Sequence, residues 1–153
     1  MRVSAKADYA VRAAIEIAAK GSSDEPLKGE AISSAQEIPL PFLHNILGEL
    51  RHHGLIHSRR GMEGGHWLAR PADDITVAEV IRSVEGPLAS VRGERPEDLA
   101  YRGAATELQS VWLALRANVR QVLESVTLAD LVHGELPEPV LQLSEHPDVW
   151  SPR

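Results

Sequence analysis

The 153-residue sequence contains no cysteine. A disulfide framework, a thiol nucleophile, and thiolate ligation of zinc or of an iron–sulphur cluster are therefore excluded. No apolar run approaches the roughly 18 residues that a membrane-spanning helix needs. The N-terminal MRVSAKADYAV lacks the apolar middle and cleavage site of a signal peptide, so a cytoplasmic location without membrane contact is expected. A net positive charge, the usual footprint of a nucleic-acid binder, is missing too, since the chain carries −6. That mean hides an asymmetry. Residues 1–71 hold 9 Lys/Arg against 8 Asp/Glu and five of the seven histidines, whereas residues 72–153 hold 7 against 14. A near-neutral first half able to meet a polyanion is followed by an acidic second half suited to protein contacts.

What is present is helical patterning, with 43% hydrophobic residues providing material for one ordinary domain or a small domain with a helical extension. Ser4 is placed as a helix cap, and Val11, Ala14, Ile15 and Ala18 recur at helical spacing until Gly21. A weaker helix covers about Lys28–Gln36 with Ile32 as its anchor. A third begins at Pro39 or Leu40 and points Leu43, Ile46, Leu47 and Leu50 inward, which turns His44, Asn45, Gly48 and Arg51 outward. Leu55–Ser58 and His66–Ala69 read as short strands joined by the basic, glycine-rich loop at 59–65. Three helices followed by a hairpin is the layout of a winged helix-turn-helix.

Beyond the hairpin, Thr76 and Glu79 form a capping box for a helix carrying Val77, Val80, Ile81 and Val84, stopped by Gly86 and Pro87. Residues 88–103 are polar and aperiodic, and a surface loop is expected there. A long helix follows from about Ala104 to Val126, aligning Leu108, Val111, Trp112, Leu115, Val119 and Val122. At ~1.5 Å per residue it spans roughly 35 Å, more than a small domain covers, so pairing with the same helix of a second subunit is the economical burial. Thr127 recaps a short helix through Leu131, and the proline-rich tail is expected to be irregular. The expected fold is mainly α. A winged helix-turn-helix DNA-binding domain with a two-stranded wing occupies 1–71, an effector loop and helical dimerisation region 72–134, and the tail 135–153.

A third helix in a DNA major groove would leave the hairpin beside the phosphates and the adjacent minor groove. Arg59 and Arg60 then have a role, and Gly61, Gly64 and Gly65 would let the loop tip adopt positive φ and approach a phosphate. Asn45 can pair bidentately with adenine and His44 can donate or accept, while Arg51 suits phosphate or the last helical turn. Lys6 on the first helix joins this set. The plainer alternative is a solvated turn and ordinary helix surface. His52, His53, His57 and His66 invite a metal reading, but the adjacent pair diverges by about 100° on a helix and no acidic group completes a tetrahedron. Phosphate contact suits these histidines better, and no metal is expected.

MRVSAKADYAVRA, the SRRG…GGH wing, LARP, ITVAEVI…EGP and the late VTLADL together resemble the Rrf family of bacterial winged helix-turn-helix regulators, over residues 1–134. The resemblance implies a homodimer crossed through the long helix that binds a partly palindromic promoter site and usually represses. Arg60 matches the family's wing arginine, which reaches the minor groove. Pro41, Phe42, His44 and Asn45 fall where such regulators read the major groove, with different residue types. Glu37 stands where the turn usually has glycine, so either the turn relaxes or a non-glycine residue is left-handed. Glu63 replaces a wing glycine and His66 a tyrosine. Cluster-bearing members use three cysteines in the loop after EGP, where this chain offers Gly93, Glu94, Ala100 and Thr106. Asp8 matches a cluster-ligand aspartate of one branch, but a single carboxylate cannot hold a cluster, and no cofactor is expected.

These features together imply a sequence-specific DNA-binding transcriptional repressor acting as a homodimer on double-stranded DNA. A small-molecule or protein effector would reach it at the 88–105 loop and Trp112. The alternative is a winged-helix adaptor that binds proteins and has lost DNA binding. No nucleophile–base pair, phosphate-cradling loop or carboxylate dyad suggests an enzyme.

Overall fold

The computed structural model describes residues 2–152. Helix α1 (Ala5–Lys20) starts at Ser4, whose hydroxyl oxygen accepts from the Ala7 N–H at 3.0 Å. Its buried side is Ala7, Ala10, Ala13, Ala14 and Ile17. Four alanines leave little bulk, and α1 packs against α3 (Leu40–His52), α4 (Val77–Glu85) and α6 (Leu128–His133). Helix α2 (Gly29–Gln36), packed on α1 and α3, completes an N-terminal three-helix head.

The wing pairs β1 (Ile56–Arg59) with β2 (Gly65–Leu68) antiparallel, Ile56 opposite Leu68 and Arg59 opposite Gly65. The hairpin therefore closes one residue nearer its tip than the expected strands, because Gly64 donates to the Gly61 carbonyl at 3.0 Å and folds the loop tightly enough for Arg59 to pair. Leu27 adds a short third rung, exchanging backbone hydrogen bonds of 2.8 and 2.9 Å with His66.

One apolar core crosses Pro71, joining Ile17, Ile32, Leu43 and Leu50 to Ile75, Val80 and Leu128. The segments before α4 and α6 clasp each other, Val77 N–H to Val126 C=O and Leu128 N–H to Ile75 C=O, each at 2.9 Å. Both helices start with capping boxes, Thr76 with Glu79 and Thr127 with Asp130. Such boxes satisfy orphan amides at a helix start, which lets two short helices begin at defined positions inside one clasp.

Two expectations need correction and one needs refinement. Helix α5 runs Leu108–Ser125, shorter than expected, after a single 3-10 turn at Gly103–Ala105. At ~1.5 Å per residue it is about 27 Å long. Residues 88–103 form the expected surface loop, largely exposed, but it is pinned to the body. Leu88, Pro96 and Leu99 are buried, and the Gln109 side-chain amide donates to the Leu99 carbonyl at 2.6 Å. The tail is ordered into α7 (Glu138–Glu145) and a 3-10 turn at Pro147–Trp150, with the Trp150 indole N–H on the Ser144 carbonyl at 2.7 Å. Pro137 caps α7, and Pro139 and Pro147 lie in the first turns of these elements, where a missing N–H costs nothing. Arg153 lies outside the described residues. Among those described, no helix is long and apolar enough to cross a membrane.

Candidate nucleic-acid interface

The turn between α2 and α3 contains Glu37 at φ 52°, ψ 44°, the left-handed of the two options its position left open. A side chain there costs roughly 1–2 kcal/mol. Neighbouring bonds hold it. Ile38 N–H donates to the Ser33 carbonyl (3.1 Å), the Ser33 hydroxyl donates to the Ile38 carbonyl (2.6 Å), and Arg12 Nη1 donates to the Gln36 carbonyl (2.7 Å). Helix α3 then buries Leu43, Ile46, Leu47 and Leu50 and exposes Pro41, Phe42, His44, Asn45 and Arg51. Phe42 is 62% exposed. It borders an open groove of about 700 Å³ between the start of α1 and α3, which His44, Asn45 and His52 also line. Lys6 lies on the same groove but is paired with Glu49, Nζ to Oε1 at 2.8 Å. That partner was not anticipated.

In the wing, Gly61 is exposed at the tip with φ 100°. Gly64 and Gly65 differ from expectation: both are buried. A Cβ on Gly64 would sit 2.2 Å from the Arg59 carbonyl oxygen, and one on Gly65 2.7 Å from that of Leu27. These two glycines let the wing close on itself, and of the three only Gly61 is exposed. Arg59 is also occupied. It donates to the Ser23 carbonyl and lies over the Trp67 ring at 5.5 Å. Arg60 and Glu63 are exposed, and Arg60 makes no hydrogen bond or ion pair among the described residues. Arg51, at the end of α3, donates to the Ser58 hydroxyl at 3.3 Å.

His66 does not join a phosphate-facing group of histidines. Its Nδ1 is buried without a partner. Burial, and next the nearby charges of Arg51 and His44, hold its pKa below the ordinary 6.5 against the opposing pull of Glu30. The Leu27 rung covers this strand position, and nothing in the local sequence signals that cover. His52, His53 and His57 are exposed as expected.

No residue of α5 is buried. Val111 is 55% exposed, and Leu108, Trp112, Leu115, Val119 and Val122 are half-buried. The Trp112 indole N–H donates to the Tyr101 hydroxyl at 3.0 Å. On another face of α5, sequence reasoning missed a charged cavity of about 480 Å³ beside the 86–97 loop. The spacing of Arg116, Arg120 and Glu124 at successive helical turns was the available signal.

Comparison with known proteins gives one consistent picture. The family model for Rrf2, described as an iron-dependent transcriptional regulator, matches residues 3–134. A protein of Mycobacterium tuberculosis whose name assigns it to the HTH-type transcriptional regulators is 50% identical over 145 residues, covering 95% of this chain and 89% of its own. The HTH-type transcriptional regulator IscR of Cereibacter sphaeroides is 33% identical, covering 89% and 90%. Among solved structures, CymR, the global cysteine regulator of B. subtilis, superposes with a TM-score of 0.73 at 31% identity, covering 88% of this chain and 98% of that one. IscR of T. potens gives 0.68 at 29% identity, covering 100% and 93%.

Proposed function

Since the chain belongs to the Rrf2 family of transcriptional regulators, we propose that it represses by binding a specific promoter sequence as a cytoplasmic homodimer. The observation that carries this reading is the division of α3. Its apolar stripe is buried while Phe42, His44 and Asn45 face outward, and Arg60 of the wing is exposed without a partner among the described residues. Asn45 matches the two-point edge of adenine, Phe42 a thymine methyl, and His44 a donor or acceptor on a base edge. Arg60 supplies charge to the minor groove, the exposed Gly61 lets the wing tip come close, and Lys6, Arg51 and the first-turn amides after Pro41 serve phosphates. Arg59 supports the wing from behind.

The homodimer rests on α5, whose row of Leu108, Val111, Trp112, Leu115, Val119 and Val122 is at most half-buried within one chain. Two copies joined there would present two α3 helices to half-sites about 34–36 Å apart, one turn of duplex.

The family description names iron. The donor set here does not fit a thiolate-held cluster. The chain has no cysteine, no group of three or more His, Asp or Glu side chains among the described residues is arranged to hold a metal, and arginines line the cavity beside the 86–97 loop. In this reading the signal is a small-molecule or protein effector acting at that loop, with no direct signal as the alternative.

Binding of a fluorescent duplex from upstream of the protein's own gene, against a random duplex and over a range of salt, tests the reading. A steep salt dependence with preference for the upstream duplex is expected. The exposed acid Glu63 beside Arg60 favours the second reading, a protein-binding adaptor. Flat salt dependence with no duplex preference would select it.

A further inference from the structure

The cavity beside α5 is lined by Arg82, Arg95, Arg116 and Arg120, with Glu97 and Glu124 as its only counter-charges. Four guanidinium groups against two carboxylates leave excess positive charge in the half of the chain that is otherwise acidic. The carboxylates act as internal anions. Glu124 accepts from Arg82 and, at 3.1 Å, from Arg120, and Glu97 accepts from Arg116. Both are held ionised, Glu124 chiefly by Arg82 and then Arg120, Glu97 by its own backbone amide and then by Arg116. The Arg95 side chain makes no hydrogen bond or ion pair among the described residues, and its charge adds to the pull that keeps Glu97 ionised. Buried Leu88 contributes an apolar wall.

Guanidinium forks match the paired oxygens of phosphate and carboxylate, and several converging on one space suit an anion with more than one charge. The position suits an effector. Arg116 and Arg120 each follow a seam residue, Leu115 and Val119, by one place, about 100° around the helix. The cavity therefore lies on a different face of α5 from the dimer row. Arg82 belongs to α4, which packs on α1 of the three-helix head. A ligand held by both helices would link head and rod.

The geometry points to a binding site for a compact multivalent oxyanion, of the phosphate-ester or polycarboxylate kind, that displaces the internal carboxylates and sets the spacing of α4 and α5. Its regulatory consequence rests on the proposed function, but its binding does not, and the two are tested separately.

The experiment is calorimetric titration of the full chain, without DNA and at fixed ionic strength, with inorganic pyrophosphate in one arm and citrate in the other. Saturable binding of one anion per chain in either arm is expected, and the tighter arm identifies the ligand chemistry. Arg95→Gln lowers the affinity about tenfold, the usual effect of losing one charge-assisted contact. Glu124→Gln, which frees Arg82 and Arg120, raises it several-fold. Arg102→Gln, the same charge change outside the cavity, leaves it unaltered. No saturation through the millimolar range with either anion overturns the proposal, and so does an equal loss in Arg95→Gln and Arg102→Gln.

Discussion

The guanidinium group of Arg59 lies over the indole of Trp67, 5.5 Å from the ring centroid, and donates to the carbonyl of Ser23 in the linker after α1. Arg60, its neighbour, makes neither kind of contact. One arginine fastens the wing to the body and the other offers its charge outward. Arg59→Ala is expected to lower stability by about 1 kcal/mol, from the lost ring contact and hydrogen bond, read by chemical denaturation. Arg60→Ala should change stability by less than ~0.5 kcal/mol. It should instead weaken binding to all duplexes and reduce the slope of log K against log salt by about 0.9 per lost phosphate contact. Two variants with the same profile would refute the division.

Glu37 is left-handed at the centre of the helix-turn-helix, and Ser33 and Arg12 hold the turn around it. Glycine adopts this conformation without the side-chain penalty, offset in part by its greater freedom when unfolded. Glu37→Gly should raise stability by ~0.5–1 kcal/mol, or roughly 2–4 °C in Tm per kcal/mol for a chain of this size. Calorimetric melting at neutral pH measures it, and a lower Tm would show that Glu37 makes a stabilising contact of its own.

The depressed pKa of His66 sets the sign of a pH effect. The folded chain keeps the imidazole neutral, whereas the unfolded chain takes up a proton below the ordinary 6.5. The unfolded state therefore binds more protons, and stability falls as pH drops below that value towards the lowered folded pKa. Denaturation midpoints at about pH 7.5 and about pH 5.5 should differ less in His66→Phe than in the parent chain. An unchanged difference would mean that His66 is already solvated or paired.

Leu115 is central to the half-buried row on α5. A carboxylate at Leu115→Glu would face its own copy across a two-fold seam, at a cost of several kcal/mol for buried like charges. The variant should sediment as a monomer with unchanged helical circular dichroism and lose preference for the upstream duplex, since two half-sites would no longer be bound as a unit. A variant that remains dimeric would move the seam elsewhere.

Periodic features were legible in the sequence and contact-made features were not. The spacing of Leu43, Ile46, Leu47 and Leu50 gives the buried stripe of α3 directly, and Thr76 with Glu79 marks the start of α4. Residues 88–103 carry no period, because their packing depends on three separated anchors and the side chain of Gln109, which a local pattern cannot display. His66 looks like a surface histidine until Leu27 crosses beside it. Gly64 and Gly65 read as loop freedom, yet each is required by a backbone neighbour, Arg59 and Leu27, that only the fold brings close. Pro137, Pro139 and Pro147 look like breakers and are instead placed at helix starts. The role proposed for Arg60 rests on its position in the wing and its lack of partners, and Arg59, identical in type, is distinguished by its contacts with Trp67 and Ser23.

Two copies gripping one duplex through paired α5 helices is the claim on which the rest depends. Sedimentation equilibrium of the full chain with its own upstream duplex, at a salt concentration that releases random duplex, tests it most directly. Two 16.7 kDa chains per duplex are expected, with none retained on the random sequence. One chain per duplex, or equal occupancy of both sequences, would contradict it.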